Sequence, residues 1–266
     1  MRGAIVGLGG RMPEKITAVI SCMMDAERPF IRAALESVVN QTMPCAARVY
    51  VADTNDWIAN VTEGLEQVVV RPVPMMPVAA IRNIGVKEAN SDLVAFLDGD
   101  DFWFPAKTER QVAALQQNAV DFAGADHVLV DEAGSKFAYG TARYIPMPSS
   151  WLVRRDLMLE YPFNERVRLP GEEFHEDVEW WMRTAEKSQR IRVSEFLVAY
   201  RVRQDSLSSG CRGRRRKETV LRAAQVRGLR PLTLAASFVL NWLHRDSKYA
   251  DHNNRSKHSN IKSLSE

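Results

Sequence analysis

Residues 82–101 read RNIGVKEANSDLVAFLDGDD. The stretch predicts an amphipathic helix, a short turn, and a strand of Leu93, Val94, Ala95, Phe96 and Leu97 apolar enough to lie inside a sheet. That strand stops abruptly at Asp98, Gly99, Asp100 and Asp101. Three carboxylates cannot be buried there unpaired without a large desolvation cost, so they must meet solvent, a cation or a metal. Gly99 is expected to let the backbone turn, so that Asp98 and Asp100 converge on one point. Hard oxygens at i and i+2 suit Mg2+ or Mn2+, above all when phosphate oxygens complete the shell. A solvated acidic turn after a strand is the plainer alternative.

Outward from this stretch, strands and helices alternate. Strands are predicted at 17–20, 47–52 and 67–71, and helices at 29–41 and 78–89. Beyond Pro105 the pattern predicts a helix over 106–116, strands over 122–130 and 136–139, and a short strand and helix from Ser149. A further helix begins near His175 or Glu176, and a last strand covers 197–203. Such alternation implies a mostly parallel, doubly wound α/β sheet with helices on both faces. Ligands of such sheets bind outside the carboxyl ends of the strands. Asp25, Asp53 and the 98–101 cluster all follow strand ends and should share one rim.

The ordered set RN-x-G, helix, FLD-x-DD resembles the nucleotide-sugar domain of family 2 glycosyltransferases, inverting enzymes of the GT-A fold. Residues 1–15 lack periodicity and read as a leader, and residues 211–266 read as a basic, helical C-terminal arm. The resemblance implies a mixed, mostly parallel Rossmann-like sheet between them, with a nucleotide-sugar-binding half (16–104) and an acceptor-binding half of the same domain (105–210). It also implies transfer of a sugar from a nucleoside diphosphate donor, most often UDP-linked, to a hydroxyl with inversion.

The same resemblance assigns roles to particular side chains. Asp98 and Asp100 would hold Mn2+ or Mg2+ against the donor diphosphate. Asp53, in VADTND, stands where a carboxylate contacts uracil or ribose. Asp25, in CMMDAER, stands where the family usually reads Pro-x-Tyr-Asn, although an Asp at a strand-to-helix junction is also a common N-cap. Arg82 and Asn83 are placed against the nucleotide, with Asn83 expected to shape the Asp98–Asp101 loop by a hydrogen bond. HEDVEWWMR resembles the family's ED motif, which makes Asp177 the base that takes the acceptor's proton, with Glu176 as first alternative. Composition alone does not choose among Glu172, Glu173, Glu176, Asp177 and Glu179. Of the two indoles that follow, Trp181 shares a helix face with Asp177, yet core packing is the commoner fate of such a Trp. In YRVRQDS, Arg203 stands where the family often has His. Arginine does not ligate a metal, but its fork neutralises a diphosphate.

Two other readings compete. A metal-dependent nucleotidyltransferase also uses a strand-end carboxylate pair, but the only Gly-rich run, GLGGR at 7–11, precedes the first strand instead of following it. A non-catalytic nucleotide-sugar-binding relic would keep the fold and lose the chemistry. No basic-aromatic motif for nucleic acid is visible, so none is expected as a partner.

Charge is divided unevenly. After residue 200 there are 15 basic and 5 acidic residues, against 21 and 28 before it. The apolar run 231-PLTLAASFVLNWL-243 in that arm is too short to span a bilayer. Flanked by Arg227, Arg230, Arg245 and Lys248, it suits either an anionic membrane interface or packing on the catalytic body. The residues after 246 read as disordered. Three scattered cysteines without CxxC spacing, and the absence of a secretory apolar region, predict a cytoplasmic protein. Membrane docking would place it at the inner face of the plasma membrane, as in surface polysaccharide or glycolipid assembly.

Overall fold

The computed structural model describes residues 14–142, 146–166 and 176–203, together with helical positions 232, 235, 236 and 239. The first half runs β1 (Ile16–Cys22), α1 (Ile31–Val39), β2 (Ala46–Ala52), α2 (Ile58–Thr62), β3 (Val68–Val73), α3 (Val78–Glu88) and β4 (Leu93–Asp98). The second runs β5 (Phe102–Trp103), α4 (Lys107–Asn118), β6 (Phe122–Val130), β7 (Lys136–Gly140), β8 (Trp151–Arg154), α5 (Arg155–Glu160), α6 (Glu176–Arg183) and β9 (Arg190–Arg201). One sheet carries them in the order β3-β2-β1-β4-β8-β6-β9-β5, with β7 paired to β6. β3, β2, β1 and β4 are parallel, β8 is antiparallel to both of its neighbours, and β6 pairs with β9 in parallel. This is the mixed, mostly parallel α/β architecture expected from the alternation.

β4 shows why the sheet needs helices on both faces. Leu93, Ala95 and Leu97 join a core with Ile31, Leu35 and Val38 of α1 and Val112 and Leu115 of α4. Val94 and Phe96 point the other way, into a second core with Ile81 of α3, Met158 of α5 and Trp180 and Trp181 of α6. A strand buried on both sides has no reason to alternate, which is how LVAFL reads.

Beyond the unexpected α2, three differences from the sequence expectation bear on the site. α1 begins at Ile31, because a 3-10 turn over Asp25–Glu27 intervenes before it. β9 begins at Arg190, seven residues early, and its pairing with β6 shifts register around Asp126. That irregularity leaves Ser194 and Glu195 exposed in mid-strand and breaks the apolar pattern that marks a strand. The third is β5, two residues that pair with β9 directly after the acidic turn.

The strand order reverses direction between β1 and β4, which makes the crevice beyond their carboxyl ends the topological switch point. Gly85 sets the depth of α3 against this region. A Cβ there would lie 2.3 Å from Val19 Cγ1, so only glycine lets α3 settle on β1.

Candidate functional site

At the switch point, Asp98 is in register with Ser21 of β1, and Ser21 Oγ donates to Asp98 Oδ1 at 3.1 Å. The backbone N–H of Asp101 closes the turn onto the Asp98 carbonyl at 3.1 Å. Gly99 is needed here for a different reason from the one expected. Its φ is not positive, and a Cβ would meet Ser21 O at 3.0 Å, Cys22 Cβ at 3.2 Å and Glu27 Oε1 at 3.3 Å. Close approach to β1, not conformational freedom, excludes a side chain.

The three aspartates have different environments. Asp101 is buried, whereas all three were expected to meet solvent, a cation or a metal. Its carboxylate accepts from Ser149 Oγ at 2.6 Å and from the Arg201 backbone N–H at 2.8 Å. It therefore ties the turn to β9 and to the segment before β8. Burial, then Asp100 and Asp98, push its carboxyl well above the ordinary carboxylate range. Asp100 is also raised, first by burial and then by Asp98, with Arg203 opposing. Arg203 Nε donates to Asp100 Oδ2 at 2.8 Å, and its Nη1 to the Ala26 carbonyl at 3.0 Å.

Glu27, which the sequence reading missed, belongs to the same charge cluster. Its carboxyl is pushed up to about 8, chiefly by burial, while the Met24 N–H bond at 2.8 Å opposes and Asp100 and Asp98 add to the rise. The only available signal was an acid two residues after Asp25, in a loop whose shape the sequence does not define.

Asp98 and Asp100 fit a divalent cation. They are hard oxygen donors two residues apart, and the like charge of Asp98 is the second cause, after burial, that raises the Asp100 carboxyl. Among the described residues no group of three His, Cys, Asp or Glu forms a complete cage. That is the donor set Mg2+ uses when one or two carboxylates share it with substrate phosphates.

Arg82 is buried and spans two carboxylates. Its Nη2 donates to Asp98 Oδ1 at 2.7 Å and its Nη1 to Glu176 Oε1 at 2.9 Å. The rings of Phe96 and Phe163 lie 6.0 and 5.7 Å from the guanidinium carbon. Asn83 does not shape the acidic loop. Its amide donates to the Phe163 carbonyl and to Glu165, each at 2.9 Å, and its Oδ1 accepts the Phe163 N–H at 2.9 Å. It pins the segment before α6 to α3.

Glu176 and Asp177 open α6. Glu176 is buried on Arg82, whereas Asp177 is partly exposed and accepts the Val178 N–H at 2.8 Å on Oδ1. The negative field of Asp177 also reaches Arg82. A carboxylate at a helix N-terminus is stabilised as the anion, the form a base requires. Trp180 and Trp181 are both core, packed with Phe122 and Trp151. Asp25 and Asp53 stand exposed on the same rim, beyond β1 and β2, outside the Asp98–Arg82–Glu176 cluster. Beside Glu176 opens a cavity of about 180 Å³, lined by Met23, Met24, Met75 and Met76. Glu172, Glu173 and His175 lie outside the described residues.

With this geometry in place, the comparisons agree with one another. The family model for glycosyl transferase family 2 matches residues 18–184. TuaG of Bacillus subtilis (strain 168), named as a teichuronic acid biosynthesis glycosyltransferase, is 23% identical over 199 residues, which cover 68% of this chain and 77% of its own. TarS of S. aureus, solved in complex with UDP-GlcNAc, superposes with a TM-score of 0.59 at 16% identity over 74% of this chain and 61% of that one. The mannosyltransferase PcManGT from Pyrobaculum calidifontis, solved with GDP-Man and Mn2+, superposes with a TM-score of 0.57 at 14% identity, covering 74% and 59%. The chain spans about three fifths of the length of these solved chains, and 8% of a Rickettsia bellii glycosyltransferase that it matches over 56 residues at 36% identity. The shared fold is GT-A.

Proposed function

The chain belongs to glycosyl transferase family 2, and we propose that it transfers a sugar from a nucleoside diphosphate donor, UDP-linked, to an acceptor hydroxyl with inversion. The observation that carries this reading is a single connected cluster. Asp98 and Asp100 end the strand at the switch point, and Arg82 ties Asp98 to Glu176, next to Asp177. The carboxylates proposed for the donor side and the acceptor side are thus linked through one guanidinium.

Asp98 and Asp100 are the residues that would hold Mn2+ or Mg2+, which supplies positive charge to offset the negative charge growing on the leaving diphosphate. Arg203, held beside Asp100, is proposed to turn its fork to the same phosphates when they bind. Asp53, on the exposed rim past β2, is proposed to contact base or ribose, and Asp25 to flank it from the end of β1. Asp177 takes the proton of the acceptor hydroxyl as its oxygen attacks the anomeric carbon opposite the leaving group. The new bond therefore has inverted configuration, and the diphosphate departs with the electron pair. Support for the donor class comes from the solved GT-A chains, one bound to UDP-GlcNAc and one to GDP-Man with Mn2+. Thermal-shift titration of the purified chain with common nucleotide sugars, with and without Mn2+, tests it. Metal-dependent stabilisation by at least one donor is expected, and no response to any donor would reject the reading.

The acceptor side is proposed to lie at an anionic membrane, in surface polysaccharide or glycolipid assembly. Leu232 and Val239, two helical positions in the basic arm, are 65% and 53% exposed. The sequence around them, 231–243, is apolar with basic flanks, the composition of an interfacial anchor. The full chain should float with anionic liposomes and lose that behaviour when residues 212–266 are removed. Failure of the full chain to float would dismiss the membrane.

A further inference from the structure

Among the described residues, Arg82 is the one side chain that joins the two ends of the cluster, and its surroundings are costly. It is 3% exposed, its two terminal nitrogens are taken by two different carboxylates, and its Nε is buried with no hydrogen-bond partner. An ion triad centred on a buried guanidinium is weak evidence for stability, because well-packed apolar residues of the same volume often serve as well. An orphaned buried donor likewise needs an explanation other than fold.

We propose that Arg82 is a positioning residue that couples occupancy of the donor side to the placement of the base. The inference rests on the glycosyl-transfer reading above. Among the described residues, Ser21 and Arg82 both bond Asp98 Oδ1, and Oδ2 takes no bond. Arg82 would lose part of its hold on Asp98 if that carboxylate shared its charge with a bound cation. The guanidinium would then lean on its other partner, Glu176, and Glu176 begins the helix turn that carries Asp177. The planar fork is essential because the two carboxylates are reached by separate nitrogens. An ammonium at this position keeps the charge but cannot hold both in fixed geometry. Asn83 supports the same relation one residue on, by tying the Phe163–Glu165 backbone to α3.

The test combines kinetics, nucleotide binding and unfolding on the full chain. Arg82→Lys should bind UDP with Mn2+ within about threefold of wild type by calorimetry, while kcat falls about 100-fold, the loss typical of a small misplacement of reacting groups. In urea unfolding, Glu176→Gln should cost less stability in an Arg82→Gln background than in wild type, because the charge it removes already lacks its partner. Equal losses in kcat and in UDP affinity for Arg82→Lys would overturn the proposal in favour of a direct nucleotide contact. Unchanged kcat, or strictly additive unfolding energies, would overturn it in favour of packing alone. If Arg82→Gln does not fold, Arg82→Lys paired with Glu176→Gln gives the same cycle. A wild-type chain that binds no nucleotide sugar defeats the transfer reading, whereas the unfolding cycle judges Arg82 independently of it.

Discussion

Arg203 Nε lies 2.8 Å from Asp100 Oδ2, so the arginine proposed to steady the diphosphate is held by one of the two aspartates proposed to hold the metal. The pair is largely buried, with 8% and 13% of the two side chains exposed. In the free protein each neutralises the other, and ligand binding must re-partition both. Arg203→Ala should therefore weaken UDP binding in the presence of Mn2+ by roughly 10- to 100-fold, the value of one or two charge-assisted bonds. Calorimetry measures it. Tighter binding by the variant would show that Arg203 acts only as a competitor for Asp100.

Asp177→Asn keeps the shape at the start of α6 and removes the base. Transfer should fall by about 100- to 10,000-fold, the usual range for general-base loss, while the Kd for UDP with Mn2+ stays put. Loss of both to the same degree would reject the assignment. Glu176→Gln should instead act through Arg82, so its effect on kcat should vanish in an Arg82→Lys background.

Glu27 makes a prediction about pH. Its carboxyl is pushed up to about 8 in the folded chain from an ordinary 4.5, first by burial. The folded state therefore binds this proton more tightly than the unfolded chain, and folding takes up a proton between the two values. The resulting stability is fully present below about 4.5 and is lost as pH rises toward about 8. Asp100 and Asp101 are raised too and act in the same sense. Lys107, lowered to about 7 by burial, acts in the opposite sense above that pH. Metal-free melting temperatures should fall from about pH 5 to pH 7, and Glu27→Gln should flatten part of that slope. A Glu27→Gln profile parallel to wild type would contradict the assignment.

The fold was legible because its decisive strand is buried on both faces, and a run such as LVAFL between turn signals has few other places to go. The rim was legible too, since Asp53 and Asp98 each close a strand. What remained hidden depended on distant contacts. Nothing local shows that Arg82 turns inward to Asp98 and Glu176, 16 and 94 residues away. The role of Asn83 required the Phe163 backbone, and Glu27 required the approach of β1 to the acidic turn. Gly99 was recognised as necessary, but its cause lies in the neighbouring strand and not in its own dihedrals. Burial of Asp101 was obscured because its partners, Ser149 and Arg201, are 48 and 100 residues away.

The central claim is that Asp98 and Asp100 hold a donor diphosphate through a divalent cation so that its sugar can be transferred. Release of nucleoside diphosphate from a panel of nucleotide sugars tests it most directly, measured with Mn2+ and with EDTA for wild type and Asp100→Ala. The account predicts release from at least one donor in wild type, abolished by EDTA and reduced at least about 100-fold in the variant. Release that persists undiminished in EDTA and in Asp100→Ala would contradict it.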